Sequence, residues 1–514
     1  MIRSAIIASV LLAASSSSGR DDPPVVVHSN DVQGEIEPCG CRANPTGGLI
    51  RKNELLARHR WLKDAAPDQV LQIDAGDLFF STLHVPESLR PQTEIQSLAL
   101  AKALKKTGLK VFVPGEKDFS LGAAFLKKLL RESGLITLAA NLQTRENSKW
   151  QDWPTASQVF RLRSKSGKLH RVGVIGIVGP KTGLPDGVRA SDPVLAAKKW
   201  ASRLRPKVDW LIAVTHQGFD EDLILAEKVP LFDHIIGAHS QSFLQEPRTV
   251  ENSPRKTAIH QGSLRNQVVG LIRLDPAAAT ELVPLDSVYD PPGGTQKSEL
   301  QTLVENTKAK IAEANRNEEK KMLRLVEKAK NEGTPKFQTL PQCADCHFKQ
   351  FNFWRKTPHA RAYEALVKAN QHRNLECLSC HTVGLHDPEG FSSLHQLVEW
   401  RKDLEKNQPA LEKWVQDLRT TSPTAAKEQL QQAQRLHATV QCENCHGAGR
   451  DHPFGSEPMA RPRNTTSCVQ CHTPERAPEW YRPRSSSPEQ FELDTEKAAQ
   501  KLKEMSCPIG DDET

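Results

Sequence analysis

The chain has 514 residues, 38% of them hydrophobic and 25% charged, which is length and composition enough for two or three domains with cores of their own. That balance excludes a fibrous or wholly disordered protein. The formal net charge of +7 would by itself suit an anionic partner.

Residues 1–18 read as an export signal. Arg3 gives a positive start, Ala5–Ala14 a short apolar core, and the small residues through Ser18 a cleavage site. The apolar run is too short to span a bilayer, and no later run is apolar enough to do so. A periplasmic or extracellular protein is expected, with no transmembrane segment left after signal removal.

From residue 25 to about 290, short β-branched runs alternate with amphipathic stretches. Strands are predicted at 25–29, 70–73, 110–113, 136–139, 171–177, 210–214, 234–236 and 268–274. Helices are predicted at 49–63, 93–106, 123–132, 193–204 and 220–228. The alternation implies a layered α/β domain. Polar residues follow the strands: Asp31, Asp77, Glu116, His216, and then His239 with Gln241. The carboxyl ends of parallel strands form a ligand-binding edge, and oxygen and nitrogen donors gathered there could hold a two-metal site. Taken singly, each is more often a cap or a surface group.

Asn30-Asp31-Val32-Gln33-Gly34, Gly47-Gly48-Leu49, Asp74-Ala75-Gly76-Asp77, Gly115-Glu116-Lys117-Asp118-Phe119, Ala139-Ala140-Asn141-Leu142, Thr215-His216 and Gly237-Ala238-His239-Ser240-Gln241 carry a closer likeness. Over about residues 25–285 the chain resembles the calcineurin-like metallophosphoesterases, in particular the periplasmic 5′-nucleotidases. The resemblance implies metal-ligand positions at Asp31, Asp77, His216, His239 and Gln241, with Asp77 bridging the two metals; Gln33 and Glu116 can still offer oxygen, and one or two divalent ions of Mn, Zn, Fe or Co are expected. Three positions depart from the family pattern. Gln33 stands where a ligand His is expected, Glu116 where a ligand Asn is expected, and Lys117 where the catalytic His is expected. Lys117 is a fixed positive charge near neutral pH and a poor general acid unless burial lowers its pKa. The family's nucleotide-binding domain is also missing, so the domain is expected to be a degenerate scaffold. Cys39 and Cys41, in the loop after the first strand, are compatible with a disulfide, a metal site or electron exchange.

Residues 298–333 are rich in Lys, Glu and Ala and read as one long, solvated connecting helix. Beyond it, one word recurs four times. Cys343-Ala-Asp-Cys346-His347, Cys377-Leu-Ser-Cys380-His381, Cys442-Glu-Asn-Cys445-His446 and Cys468-Val-Gln-Cys471-His472 each have the spacing of covalent haem attachment. Two thiols meet the haem vinyl groups and the adjoining His lies under the iron. Paired structural zinc sites are the competing reading. Four haems c are expected, and their roughly eight propionate carboxylates would leave the loaded chain near neutral, so no nucleic-acid partner is implied. Export agrees with haem c, which in bacteria is attached outside the cytoplasm.

Met459 is the one Met of this region, so the distal ligands should be His. His359 and His452 are the leading candidates, ahead of His372, His386, His395 and His437. Trp354–Tyr363, Glu376–Gly384, Val440–Gly447 with His452, and Ser467–Pro474 resemble the cytochrome c-554 family of tetrahaem carriers over about residues 340–480. That likeness implies a mainly α-helical haem domain, placed at 336–482, with mostly two-His ligation. Residues 392–438 read as a helical hairpin and 483–514 as a disordered tail. The leading reading is an exported electron carrier acting between redox partner proteins. Alternatives are an active metal-dependent nucleotidase with accessory haems, or a multihaem oxidoreductase acting on a small nitrogen or sulfur compound.

Overall fold

The computed structural model describes residues 22–38, 45–146, 148–252, 255–262, 264–275, 279–293, 297–329, 337–338, 340–385, 390–391, 437–449, 452, 459, 465–474, 476–483 and 491–508. The export segment, Cys39 and Cys41, His386, His395 and most of the 392–438 stretch lie outside the described residues.

The N-terminal half opens with β1 (Val25–Ser29), α1 (Leu49–Arg58), β2 (Val70–Asp74) and α2 (Arg90–Thr107). It continues with β3 (Val111–Phe112), α3 (Ala123–Ser133) and β4 (Ile136–Thr137). Next come β5 (Leu142–Glu146), β6 (Lys149–Asp152), β7 (Ser157–Arg163), β8 (Leu169–Val178) and β9 (Val188–Ala190). Then follow α4 (Pro193–Leu204), β10 (Trp210–His216), α5 (Phe219–Lys228) and β11 (His234–Ile236). The half closes with β12 (Arg248–Asn252), β13 (Arg255–His260), β14 (Val268–Arg273) and β15 (Thr280–Pro284).

Two six-stranded sheets result, ordered β15-β14-β1-β2-β3-β4 and β12-β13-β11-β10-β8-β7. In each, four neighbouring strands run parallel and antiparallel strands close the sheet. The Val- and Ile-rich runs explain the parallel centres, since such strands are buried on both faces. Val26 and Ile73 of the first sheet share one core with Val174, Ile212 and Ile236 of the second, and α2 and α3 pack against it through Leu100, Leu104, Leu126 and Leu129. Outer faces are covered by α1 on one side and by α4 and α5 on the other. The helices stop where the sequence allows. Gly108 and Gly134 end α2 and α3 in the left-handed conformation, and Asp192 caps α4 by accepting from Leu195 N at 2.9 Å. Strands β5–β7, β9, β12, β13 and β15 are additional to those expected from the sequence.

The connector forms α6 (Glu299–Ala329), but it is not a solvated strut. Leu300, Val304, Thr307, Ile311 and Asn315 recur every three or four residues and are buried, and α6 lies along α2. After it come α7 (Leu340–Cys346), α8 (Phe348–Trp354), α9 (Ala362–Lys368) and α10 (Leu375–His381), then α11 (Cys442–His446) and α12 (Thr466–Val469). The segment read as a disordered tail instead carries β16 (Tyr481–Pro483) paired with β17 (Phe491–Leu493), and α13 (Thr495–Met505). Asp494 caps α13, and its Ala498 packs under Trp480, so a charged composition hid an amphipathic helix. No helix among the described residues is long and apolar enough to cross a membrane.

Candidate functional site

The strand ends converge as the alternation predicted. Asp31 follows β1, Asp77 follows β2 and Glu116 follows β3, while His216 ends β10 and His239 follows β11. Their donor atoms form two adjoining clusters, Asp31–Asp77–His216 and Glu116–His216–His239. Five of the seven expected ligand positions, Asp31, Gln33, Asp77, His239 and Gln241, hold left-handed backbone with φ between 48° and 78°. Such conformations are costly for residues with a side chain and persist where the surroundings enforce them, typically at functional sites. No sequence signal announced this. Gly115 makes room for the cluster: a Cβ there would stand 2.3 Å from Asp77 Oδ1 and 2.6 Å from His216 Nε2.

Each donor is held by something behind it. His216 is fully buried and its Nδ1 donates to Ala75 O at 2.9 Å, turning Nε2 to within 2.9 Å of Glu116 and 3.6 Å of Asp77. This is the backing that fixes a ligating tautomer. His239 Nδ1 lies 3.2 Å from the Glu116 carboxylate, and its backbone N–H donates to Asp31 Oδ2. Asn30 Nδ2 donates to the same Asp31 oxygen at 2.8 Å, while Asp31 Oδ1 is buried with no hydrogen-bond partner. An orphaned buried carboxylate oxygen calls for positive charge nearby. Asp118 braces the loops by accepting from the backbone N–H groups of Leu78, Phe79 and Gly115, a role the sequence did not signal.

Electrostatics point the same way. Burial raises Asp31 to about 6, and burial together with Asp77 raises Asp118 to about 8. Burial opposes ionisation of Glu116, yet hydrogen bonds from His216 and His239 outweigh it and hold the carboxyl well below its usual range. Burial also opposes charge on His216, but Asp77 and Glu116 prevail and push it up to about 10. Without a metal, the demand for positive charge thus falls on this imidazole.

The three departures from the expected pattern have distinct structural consequences. Glu116 stands within the ligand cluster. Gln33 accepts from Arg265 Nε at 3.3 Å through its amide oxygen, so that oxygen is already engaged. Lys117 Nζ makes an ion pair with Asp77 Oδ2 at 2.7 Å, with the lysine side chain 16% exposed. Gln241 is half-buried at the cleft.

In the C-terminal half the motif residues gather in one small region. His347 and His452 have ring centres 5.8 Å apart with an interplanar angle of 26°, and His359 and His472 are 6.1 Å apart at 68°. The thiols of Cys343 and Cys442 are neighbours, as are those of Cys380 and Cys471. Burial lowers His347, His359, His381 and His472, favouring neutral imidazole, the ligating form. His381 Nδ1 lies 2.5 Å from Ala362 O, and His472 stacks on Trp480 at 4.5 Å. His446 lies near His347, and Cys346, Cys377, Cys445 and Cys468 sit in their motif helices outside any disulfide. His437, half-buried with Nε2 shielded and unpartnered, is a further candidate ligand.

Comparison with known proteins supports both resemblances. Residues 342–402 match the family "Cytochrome c554 and c-prime". The N-terminal half is similar to 5′-nucleotidase of Bos taurus, 27% identical over 237 residues that make up 43% of this chain and 38% of that protein. It is likewise 28% identical to the Mus musculus 5′-nucleotidase over 43% of this chain and 38% of that protein. The chain therefore spans well under half the length of these curated relatives. Among solved structures, the 5′-nucleotidase precursor from Thermus thermophilus aligns with a TM-score of 0.47 and 23% identity, over 55% of this chain and 58% of that one. A 5′-nucleotidase-like segment and a cytochrome c554-like segment thus share one chain.

Proposed function

We propose that this chain is an exported tetrahaem c-type cytochrome that carries electrons between redox partner proteins. Its N-terminal half is a metallophosphoesterase-like domain with little or no hydrolytic activity. The observation that carries the reading is the pairing of histidines across motifs. An ion held between two imidazole nitrogens at about 2.0–2.1 Å from each sets the ring centres roughly 6 Å apart, and His347–His452 and His359–His472 have that spacing. Haem at these positions supplies one-electron exchange. His347 and His452 would hold the two faces of the first-motif haem, and His472 and His359 those of the fourth. His381, donating from Nδ1 to Ala362 O, leaves Nε2 as the ligating nitrogen for the second. The thiol contacts bring the first motif beside the third and the second beside the fourth, so cofactors attached there lie in adjacent pairs.

A pyridine haemochrome assay on exported protein is expected to give about four haems per chain, one for each motif. His452→Ala and His359→Ala are each expected to convert one low-spin haem to high spin in electron paramagnetic resonance, with imidazole restoring the low-spin signal. Stoichiometric zinc, or unchanged low-spin spectra in both variants, would refute the assignment.

The buried Asp31–Asp77–Glu116–His216–His239 cluster favours a second reading, a working metal-dependent phosphoesterase with accessory haems. Turnover of nucleotides and a generic phosphodiester with added metal separates the two.

A further inference from the structure

The cleft of the N-terminal half offers two adjoining cation positions, and its residues fit only one of them. Around Glu116 the fit is good. Two imidazoles and two carboxylates converge there, with His216 and Glu116 almost wholly buried and His216 oriented through Ala75 O. A mixed imidazole–carboxylate set suits Mn, Fe, Co or Zn. Around Asp31 the fit fails. The family's imidazole is replaced by Gln33, whose amide oxygen already accepts from the Arg265 guanidinium. One of the two Asp77 carboxylate oxygens, Oδ2, lies 2.7 Å from Lys117 Nζ.

We propose that this cleft binds a single divalent transition metal through Asp77, Glu116, His216 and His239, and that the Lys117 ammonium is a permanent second cation in place of a second metal. Charge balance supports the arrangement. Asp31, Asp77 and Glu116 present three carboxylates, which one dication and one ammonium neutralise. A second dication would leave a buried surplus of positive charge beside Arg265, which the low-dielectric surroundings penalise. The lysine is set in place by the fold, its side chain only 16% exposed where it meets Asp77. The inference concerns residues separate from the haem motifs and stands whether or not the electron-carrier reading does.

The test counts metal in the haem-loaded protein. The protein is stripped with a chelator and reloaded with Mn(II) alone, manganese being distinguishable from haem iron by mass spectrometry. Wild type is expected to retain one manganese per chain, with the spectrum of an isolated ion. Glu116→Ala should retain none. Lys117→Gln combined with Gln33→His should retain two, with a spin-coupled spectrum. Two manganese ions or none in wild type, or still one in a double variant with unchanged haem spectrum and circular dichroism, would overturn the proposal. Should the double variant not fold, Lys117→Gln alone decides through a second, weaker manganese equivalent, whose absence overturns it equally.

Discussion

Nucleotides and a generic phosphodiester, assayed with added manganese, cobalt or zinc, are expected to be turned over barely above background by the wild-type protein. Lys117→His with Gln33→His is expected to raise the rate about 10²–10⁴-fold, the usual contribution of a positioned general acid or base. Lys117 cannot take that role as it stands, because its ammonium is held charged against Asp77 at 2.7 Å. It is therefore too weak an acid to pass its proton on near neutral pH. The ion pair also withdraws Asp77 Oδ2 from metal, so a phosphoryl oxygen would meet one metal instead of two. Robust wild-type turnover that disappears on Asp77→Ala would overturn this expectation and promote the hydrolase reading.

Acid should destabilise the N-terminal domain in part through a histidine cluster outside the ligand set. His234 and His260 lie 3.1 Å apart between Nδ1 and Nε2, His28 meets His260 edge-on, and all three are buried. Burial lowers His234 to about 4 and His28 to about 3; on His260, burial together with His234 acts in the same direction. For His234 the folded pKa lies below the unfolded value of about 6.5. Above pH 6.5 neither state binds the proton. As pH falls from 6.5 to 4 the unfolded chain takes it up first, so stability is lost on acidification. The contribution is about 1.4 kcal/mol per pH unit, or about 3 kcal/mol across the window, in order of magnitude. Buried carboxyls such as Asp222, raised by burial to about 7, act in the opposite sense. The comparison is therefore made between wild type and His234→Gln, which keeps a polar partner for His260. Urea midpoints from pH 7 to 4 should fall less steeply in the variant, and parallel curves would show that His234 is not a source of the acid loss. Trp210, stacked 5.8 Å from His234, gives a local fluorescence probe.

Much of this was legible in the sequence, for identifiable reasons. The strands leading to Asp31, Asp77 and His216 read correctly because strand propensity and burial coincide there. What remained hidden depends on contacts between distant segments. Nothing in Gly115-Glu116-Lys117-Asp118 announces that the lysine folds back on Asp77 while the aspartate turns inward to three backbone amides. Arg265, 232 residues from Gln33, could not be paired with it from pattern alone. The connector misled for a different reason: its apolar face is diluted by Thr307, which donates to Leu303 O of its own helix, and by Asn315, which donates to Gln92 of α2. The tail misled because α13 buries little more than Ala498.

The seam between the halves sets a practical limit on taking the molecule apart. Gln92 of α2 donates to Asn374 at 3.2 Å and accepts from Asn315 of α6 at 2.9 Å and from the Leu375 backbone. Asn315 also donates to Arg373 O, and Glu37 accepts from Lys308 at 2.9 Å and Gln371 at 2.7 Å. The helix carrying Cys377 and Cys380 is thus anchored to the phosphoesterase-like half by amides belonging to three segments. A buried amide stripped of its partner costs about 1–3 kcal/mol, so no scissor cut after residue 290 or after 333 yields two intact halves. Dissection of the two chemistries is better done by point substitution within the whole chain than by expressing its pieces.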